Sequence, residues 1–201
     1  MRFIGDIHGK IDQYRALLSP VHKSVQVGDY GVGFTRDDGR GYISGSDNPD
    51  HRFIRGNHDN LSVAKTRKGF IADGTIEDHV MYIGGALSID KSYRTEGVSW
   101  WADEQLTYNQ WEGIIQKAVN NKPTVMVTHD CPESIIEWVF PTALPIKSIT
   151  QAGLDSIYHQ VAPKLWIFGH WHTSKDIMIN GTRFICLPEL GHIDIDLEEY
   201  K

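Results

Sequence analysis

Cysteines are scarce in this sequence, long apolar runs are missing, and basic residues are not in excess. Cys131 and Cys186 are its two cysteines, which excludes a disulfide framework and favours a reducing, cytoplasmic environment. The apolar runs are far shorter than the roughly 18 residues of a membrane span, and Met1–Asp6 lacks the apolar segment of a signal peptide. A formal net charge of −6 with histidine neutral argues against an extended nucleic-acid-binding surface.

The length and composition are those of an ordinary globular domain. A chain of 201 residues with 40% hydrophobic and 23% charged residues is long enough to bury one core and short for two. We therefore expect a single domain over residues 1–201. Ten histidines are present, a high count, and their positions carry most of the functional information.

Short apolar runs alternate with helical patterns along the chain. We predict strands at 1–4, 24–27, 51–55, 79–83, 124–127 and 164–168, and helices near 11–18, 103–120 and 149–161. Asn180-Gly181 stands between two alternating runs, which is a strong hairpin signal. Residues 30–50 are rich in glycine and aspartate and are predicted to be a loop. Residues 86–104, called the insert below, show no clear period and are predicted to form a second loop.

Strand after strand ends in a small group of glycine, aspartate, asparagine or histidine residues. In layered α/β folds, loops at the carboxyl ends of strands carry the ligand-binding groups, so these groups are expected to converge. The candidates are Asp6, His8, Asp29, Asn57, His58, His129, His170 and His172.

Carboxylate, amide and imidazole ligands suit divalent cations such as Mn²⁺, Fe²⁺, Ni²⁺ or Zn²⁺, and not a cysteine-based structural zinc site. Asp6-x-His8 and His170-x-His172 would each turn two side chains to one face if their segments are extended. The groups suffice for two metals, and Asp29 can bridge cations roughly 3.5–4 Å apart. Two cations would activate a water and neutralise a phosphate ester, while His58, oriented by Asp59, would protonate the leaving group.

The motif series resembles the calcineurin-like metallophosphoesterase superfamily. It runs through Gly5-Asp6-Ile7-His8-Gly9, Gly28-Asp29, Gly56-Asn57-His58-Asp59, His129 and Gly169-His170-Trp171-His172. Each motif alone is weak, whereas five in the family's order are specific. Gly84–Asp90 followed by Trp100-Trp101 is similar to small bacterial and phage-borne members.

The resemblance implies a four-layered α-β-β-α sandwich with two divalent ions, Mn²⁺ first, with Fe, Zn or Ni as alternatives. It assigns Asp6, His8 and His172 to one metal and Asn57, His129 and His170 to the other, with Asp29 as the bridge. A hydroxide bridging the two ions would attack phosphorus directly. His58 would be the general acid, and Arg55 would contact the phosphoryl group, as a guanidinium can.

The sequence departs from the phosphatase branch after Gly28-Asp29, where Tyr30-Gly31-Val32-Gly33 lacks an acid and an arginine of the longer signature. This departure argues against a substrate preference inherited from protein phosphatases. The small size of the chain and its aromatic insert favour a small phosphorylated compound or nucleotide as the partner, as a monoester or a diester, with no membrane partner. A nuclease and a catalytically silent scaffold remain the alternatives. For Arg55 the competing interpretation is a surface salt bridge.

Trp100 and Trp101 of the insert admit two interpretations. They either stack on a nucleotide base, with Lys91 and Arg94 nearby as phosphate-steering cations, or pack the insert onto the body of the protein.

Overall fold

The computed structural model describes residues 1–19, 21–34, 42–142 and 146–201, and these form a mixed α/β structure with two sheets. The strands are β1 (Arg2–Ile4), β2 (Ser24–Gln26), β3 (His51–Phe53), β4 (Thr75–Glu77), β5 (Val80–Ile83), β6 (Val125–Thr128), β7 (Leu165–Phe168), β8 (Lys175–Ile179), β9 (Thr182–Cys186) and β10 (His192–Asp194). The smaller sheet has the order β10-β1-β2-β3, and the larger has the order β4-β5-β6-β7-β9-β8.

The central strands of both sheets are parallel. In the smaller sheet β1 pairs with β2 and β2 with β3 in parallel, while β10 is antiparallel at the edge. In the larger sheet β5, β6, β7 and β9 are parallel, and antiparallel β4 and β8 close the two edges. Parallel neighbours end at the same edge of a sheet, so the loops that follow them are brought together.

Helices connect these strands. They are α1 (Ile11–Leu18), α2 (Leu61–Ala64), α3 (Tyr108–Asn121), α4 (Ile136–Val139) and α5 (Ile149–Val161). A capping box fixes the start of α3, because the Thr107 hydroxyl accepts the Gln110 N–H while the Gln110 side chain accepts the Thr107 N–H. Ser148 caps α5 in the simpler way, by accepting the Gln151 N–H.

Alternate residues of the central strands belong to different apolar clusters. Val125 and Val127 of β6 lie in a cluster that combines residues of both sheets, whereas Met126 belongs with Trp111 of α3 in another. Tyr14 of α1 packs in a third cluster, with residues of the smaller sheet. The strand β6 is therefore buried on both faces, as expected of a parallel strand covered by other elements.

The α/β class is confirmed, and most predicted elements are present within a residue or two. The helix predicted from 103 begins at Tyr108, because Thr107 caps it. Asn180-Gly181 forms the hairpin between β8 and β9, with positive φ at both residues. The short strands β4 and β10 were not predicted, since three residues show no periodicity. Part of the predicted loop at 30–50 lies outside the described residues.

Among the described residues, no helix is long and apolar enough to cross a membrane. Cys131 and Cys186 are both free thiols and both buried.

Candidate metal centre

The polar groups that follow five strands meet at one place. They come after β1, β2 and β3 of the smaller sheet and after β6 and β7 of the larger sheet. We call the following residues the Asp/His cluster: Asp6, His8, Asp29, Asn57, His129 and His172. Both sheets therefore contribute side chains to the cluster.

One group within the cluster consists of Asp6, His8 and His172. Their ligand atoms all lie within 4.8 Å of one another. His172 Nε2 is 2.9 Å from Asp6 Oδ2 and also 2.9 Å from His8 Nε2, and His8 Nε2 is 3.8 Å from Asp6 Oδ2. The sequence prediction grouped the same three residues.

A second group consists of Asp6, Asp29 and His129, all buried and also within 4.8 Å. His129 Nε2 is 3.4 Å from Asp29 Oδ1 and 3.1 Å from Asn57 Oδ1. The other ring nitrogen, Nδ1, is 2.9 Å from the Val27 carbonyl oxygen, which fixes the ring and turns Nε2 towards the cluster.

His170 stands at the margin of this arrangement. Its backbone N–H donates to Asp6 Oδ1 over 3.1 Å, and its ring centroid lies 5.1 Å from that of His129. It belongs to neither of the two groups of close ligand atoms found among the described residues. Its expected role as a ligand stays a prediction.

The cluster fits a divalent cation. Asp6 Oδ2 is buried, and the imidazole nitrogens His172 Nε2 and His8 Nε2 lie 2.9 Å and 3.8 Å from it. Buried carboxylate oxygens are normally satisfied, and here two imidazoles face the oxygen. Carboxylate and imidazole donors converging in this way are a donor set for metals such as manganese, iron or zinc.

The electrostatics point the same way. Burial alone would raise the pKa of the Asp29 carboxyl, but the surrounding imidazoles, with that of His129 foremost, hold it below its usual range. Burial opposes charge on His129, yet the carboxylates of Asp29 and Asp6 raise its pKa. A hydrogen bond to Asp6 raises the pKa of His172. The carboxylates thus attract positive charge to this place, and a divalent cation would supply it.

The backbone of the site is left-handed at four residues. The motif pairs would share one strand face only if their segments were extended, but the φ angles of His8, His170 and His172 are 43°, 64° and 47°, and that of Asp29 is 56°. Non-glycine residues rarely adopt this left-handed conformation, and such strain gathers at functional sites. Among the described residues, four of the nine non-glycine residues with positive φ therefore belong to this region.

Two glycines close to these residues, Gly56 and Gly169, are required for steric reasons. A Cβ on Gly56 would collide with Asp29 Oδ1, and a Cβ on Gly169 would collide with Asp6 Oδ1. The strand-end glycines therefore allow one loop's backbone to approach a carboxylate of another, which explains their place in the motifs.

His58 borders the cluster. Its Nε2 lies 3.9 Å from Asp29 Oδ2, its backbone N–H donates to Asp29 Oδ1 over 2.9 Å, and its side chain is 18% exposed. Burial lowers the pKa of His58 most strongly. The carboxylate of Asp29 acts in the opposite direction, and the positive charge of Arg94 lowers the pKa further.

The partners of Asp59 differ from the one expected. Its two carboxylate oxygens accept the backbone N–H groups of Tyr30, Gly31, Val32 and Gly56, over 2.8–3.1 Å. Burial and the neighbouring Asp29 raise its pKa to about 6. Asp59 thus ties the loop after β2 to the loop after β3, and the bonds to its oxygens come from backbone rather than from the His58 ring.

Arg55 also has structural partners. It is 1% exposed, its Nε donates to Asp73 Oδ2 over 2.8 Å, and its Nη1 donates to the Asp103 and Glu104 carbonyls. These bonds connect the loop after β3 to the end of the insert. A phosphate contact is not among them and stays a prediction.

Two cavities open beside the cluster. The apolar cavity, of about 470 Å³, reaches His58 and His172. Its apolar lining consists of Leu87, Ile89, Ile136, Phe140, Ile146 and Trp171. The arginine cavity, of about 350 Å³, is lined by His8, His58, His172 and Arg94, among others.

Sequence reasoning missed several of these lining residues. Trp171 stands between two motif histidines, and its Nε1 donates to Asp130 Oδ1 over 2.9 Å, which fixes the indole beside Phe140. Its position inside the motif was the available signal. Ser88 of the insert was also missed, although its Oγ accepts the Asn57 amide over 2.9 Å.

The two tryptophans of the insert do not line the two cavities. Trp101 is 7% exposed and packs edge-on against Phe34, with ring centroids 5.2 Å apart. Neither Trp100 nor Trp101 is among the described residues that line the two cavities. This arrangement favours packing over base stacking for Trp101.

Comparison with known proteins gives fold relatives only. No protein-family model matches the sequence, and no curated protein matches it. One solved crystal structure is similar with a TM-score of 0.59 at 11% identity, covering 100% of this chain and 96% of the other. A candidate 5′-nucleotidase from Staphylococcus aureus, solved in complex with α-ketoglutarate, is similar with a TM-score of 0.52 at 11% identity. That alignment covers 98% of this chain and 51% of the nucleotidase, so the chain spans about half of that relative. At this identity the likeness concerns the fold alone.

Proposed function

We propose that this chain is a metal-dependent phosphoesterase of the calcineurin-like type, which hydrolyses small phosphate esters in a single domain. The observation that carries the proposal is the convergence of Asp6, His8, Asp29, His129 and His172 from loops of both sheets, with ligand atoms in two groups, each within 4.8 Å. The motif order in the sequence supports the same conclusion.

The packing supports the four-layered sandwich that this proposal includes. One apolar cluster combines residues of the two sheets, a second joins the larger sheet to α3 and α5, and a third joins the smaller sheet to α1. The fold likeness to a candidate 5′-nucleotidase agrees with a phosphoesterase and adds nucleoside monophosphates to the substrates worth testing.

In the proposed site, Asp6, His8 and His172 would hold one cation, and His129 and Asn57 would hold a second with Asp29 between them. When bound, such cations lower the pKa of a coordinated water and neutralise charge on the phosphoryl oxygens. The chain's own contribution is to hold these side chains in place: Val27 fixes the ring of His129, and Ser88 fixes the amide of Asn57.

His58 would donate a proton to the leaving oxygen. Its ring lines both cavities, so an ester bound in either would lie beside it. Burial lowers the pKa of His58, so its imidazolium is a stronger acid, while a smaller fraction of the ring carries the proton at neutral pH. The apolar cavity, with Trp171 and Phe140 on its wall, is of the size that takes a small organic leaving group.

The test is hydrolysis by metal-loaded protein. Protein stripped with a chelator is reloaded with Mn²⁺, Fe²⁺, Zn²⁺ or Ni²⁺, and its metal content is measured by elemental analysis. It is then assayed on p-nitrophenyl phosphate, bis(p-nitrophenyl) phosphate, nucleoside monophosphates and cyclic nucleotides. We expect hydrolysis of at least one ester that depends on added metal.

The matched control is Asp6→Asn beside Asp50→Asn, since Asp50 is exposed and lies outside the cluster. We expect Asp6→Asn alone to lose metal and activity. Protein that holds no metal in any of these solutions contradicts the proposal. Protein that holds metal but hydrolyses none of the esters is a scaffold or a nuclease, and cleavage of single-stranded DNA or RNA separates the two.

A further inference from the structure

Arg94 of the insert extends towards the candidate site. It follows the short 3₁₀ turn Lys91–Tyr93, more than thirty residues along the chain from the motifs that carry the proposed metal ligands. Nevertheless its Nη2 lies 3.4 Å from His58 Nε2. It also shares the arginine cavity with His8 and His172. The guanidinium therefore faces the same space as imidazoles of the Asp/His cluster.

The guanidinium is held in place from one side. Its Nε donates to Asp90 Oδ1 over 2.7 Å and its Nη2 to Asp90 Oδ2 over 2.6 Å, a two-point contact, while Nη1 lies 3.3 Å from the Ser99 carbonyl oxygen. The side chain is 23% exposed. Such a contact fixes the plane of the guanidinium before any ligand arrives, so less freedom is lost when one binds.

No other cation competes for this position among the described residues. Of those that line the two cavities, Arg94 is the one lysine or arginine. Arg55, the arginine that the motif pattern favours, is buried and bonded to Asp73. Without Arg94, no described residue that lines the two cavities would bring a guanidinium or ammonium group to the space beside His58.

We propose that Arg94, positioned by Asp90, binds non-bridging oxygens of the substrate's phosphoryl group in the arginine cavity. A planar guanidinium matches two phosphate oxygens, and hydrogen bonds between charged groups are the strong ones. This inference rests on the proposed phosphoesterase function, because it names the residue that would bind the phosphoryl group in that site.

The test compares Arg94→Gln, Arg94→Lys and Asp90→Asn with the wild type in Mn²⁺-loaded protein. The control is Lys91→Gln in the same insert, because the structure leaves Lys91 exposed and outside the lining of both cavities, so it does not support the steering role considered for it. Two quantities are measured: the Kd of inorganic phosphate by titration calorimetry, and KM and kcat for p-nitrophenyl phosphate. Metal content and circular dichroism are recorded for each variant.

We expect Arg94→Gln to raise both the Kd of phosphate and KM by about 10- to 100-fold, the usual effect of losing a charged hydrogen bond. Arg94→Lys keeps the positive charge but loses the paired N–H groups of the guanidinium, so its Kd and KM should lie between those of the wild type and those of Arg94→Gln. Asp90→Asn should show a smaller rise, and Lys91→Gln none. Metal content should stay the same throughout.

A phosphate Kd for Arg94→Gln within twofold of the wild type overturns the inference, and so does an equal rise in Lys91→Gln. If Arg94→Gln does not fold, the same measurement on Arg94→Lys decides, with the same twofold limit. The calorimetric arm also separates the two proposals. Phosphate binding that depends on Arg94, in a protein that hydrolyses no ester, contradicts the proposed activity and leaves this inference standing, while a wild type that binds no phosphate overturns the inference.

Discussion

The loops at the strand ends and the insert contribute to the same site in different ways. The strand-end loops follow parallel strands and carry the side chains suited to metal binding, some of them fully buried, such as Asp6 and His129. The insert has one 3₁₀ turn and an isolated bridge between Glu96 and Trp100, yet it brings Ser88 and Arg94 to the edge of the cluster. Sheet topology thus fixes where the metal-binding groups stand, while an irregular segment adds the groups that would meet a substrate.

We expect the largest effect from removing a carboxylate of the strand-end loops. Asp29→Asn removes a carboxylate that lies among three imidazoles. We expect loss of at least one metal ion, measured by elemental analysis, and activity near that of the uncatalysed control. Full metal content in Asp29→Asn would contradict the bridging role.

Substitution of His58 distinguishes a residue that binds metal from one that donates a proton. Because it lies beside the close ligand groups and not within them, His58→Asn should keep its metals. Its rate on an ester with a poor leaving group should drop by about 10²–10⁴, the usual range for general acid catalysis. The drop should be smaller for p-nitrophenyl phosphate, whose leaving group needs less protonation. Equal losses on both esters would argue against the role.

Arg55 sharpens the contrast between an arginine that holds the fold and one that faces a ligand. Its pair with Asp73 is buried, so Arg55→Met should lower the free energy of unfolding of metal-free protein by about 3 kcal/mol. The control is Arg52→Met, whose pair with Glu77 is more exposed and should be worth less than about 1 kcal/mol. Urea denaturation measures both. If Arg55→Met has the stability of the wild type but a raised KM, the result would instead support the phosphate contact that the motif predicts for Arg55.

The smallest effect is expected at the rim of the insert. Tyr93 is 92% exposed, so Tyr93→Ala should change the free energy of unfolding by less than about 0.5 kcal/mol. Thermal denaturation beside the wild type measures it. If Tyr93→Ala lowers the free energy of unfolding as much as Trp101→Ala does, the exposed ring of Tyr93 would contribute to packing of the insert, contrary to this prediction.

Several features were predictable because they depend on local pattern. The burial of parallel strands makes apolar runs such as Leu165–Phe168 visible, and the series of strand-end residues follows from sheet topology. The left-handed backbone at His8 and His172 was not predictable, because it results from contacts between loops that lie far apart in sequence. The same holds for Arg94, whose position depends on how an aperiodic segment folds back onto the site.

The left-handed backbone at Asp29, His8, His170 and His172 also lowers the stability of the fold at positions whose side chains the proposed site needs. Each such residue costs on the order of 1 kcal/mol that a glycine at the same place would avoid. Selection for stability alone would therefore drive these positions towards glycine and remove the side chains. The presence of aspartate and histidine there is the mark of a trade-off in which the protein gives up stability at the one place where those side chains converge.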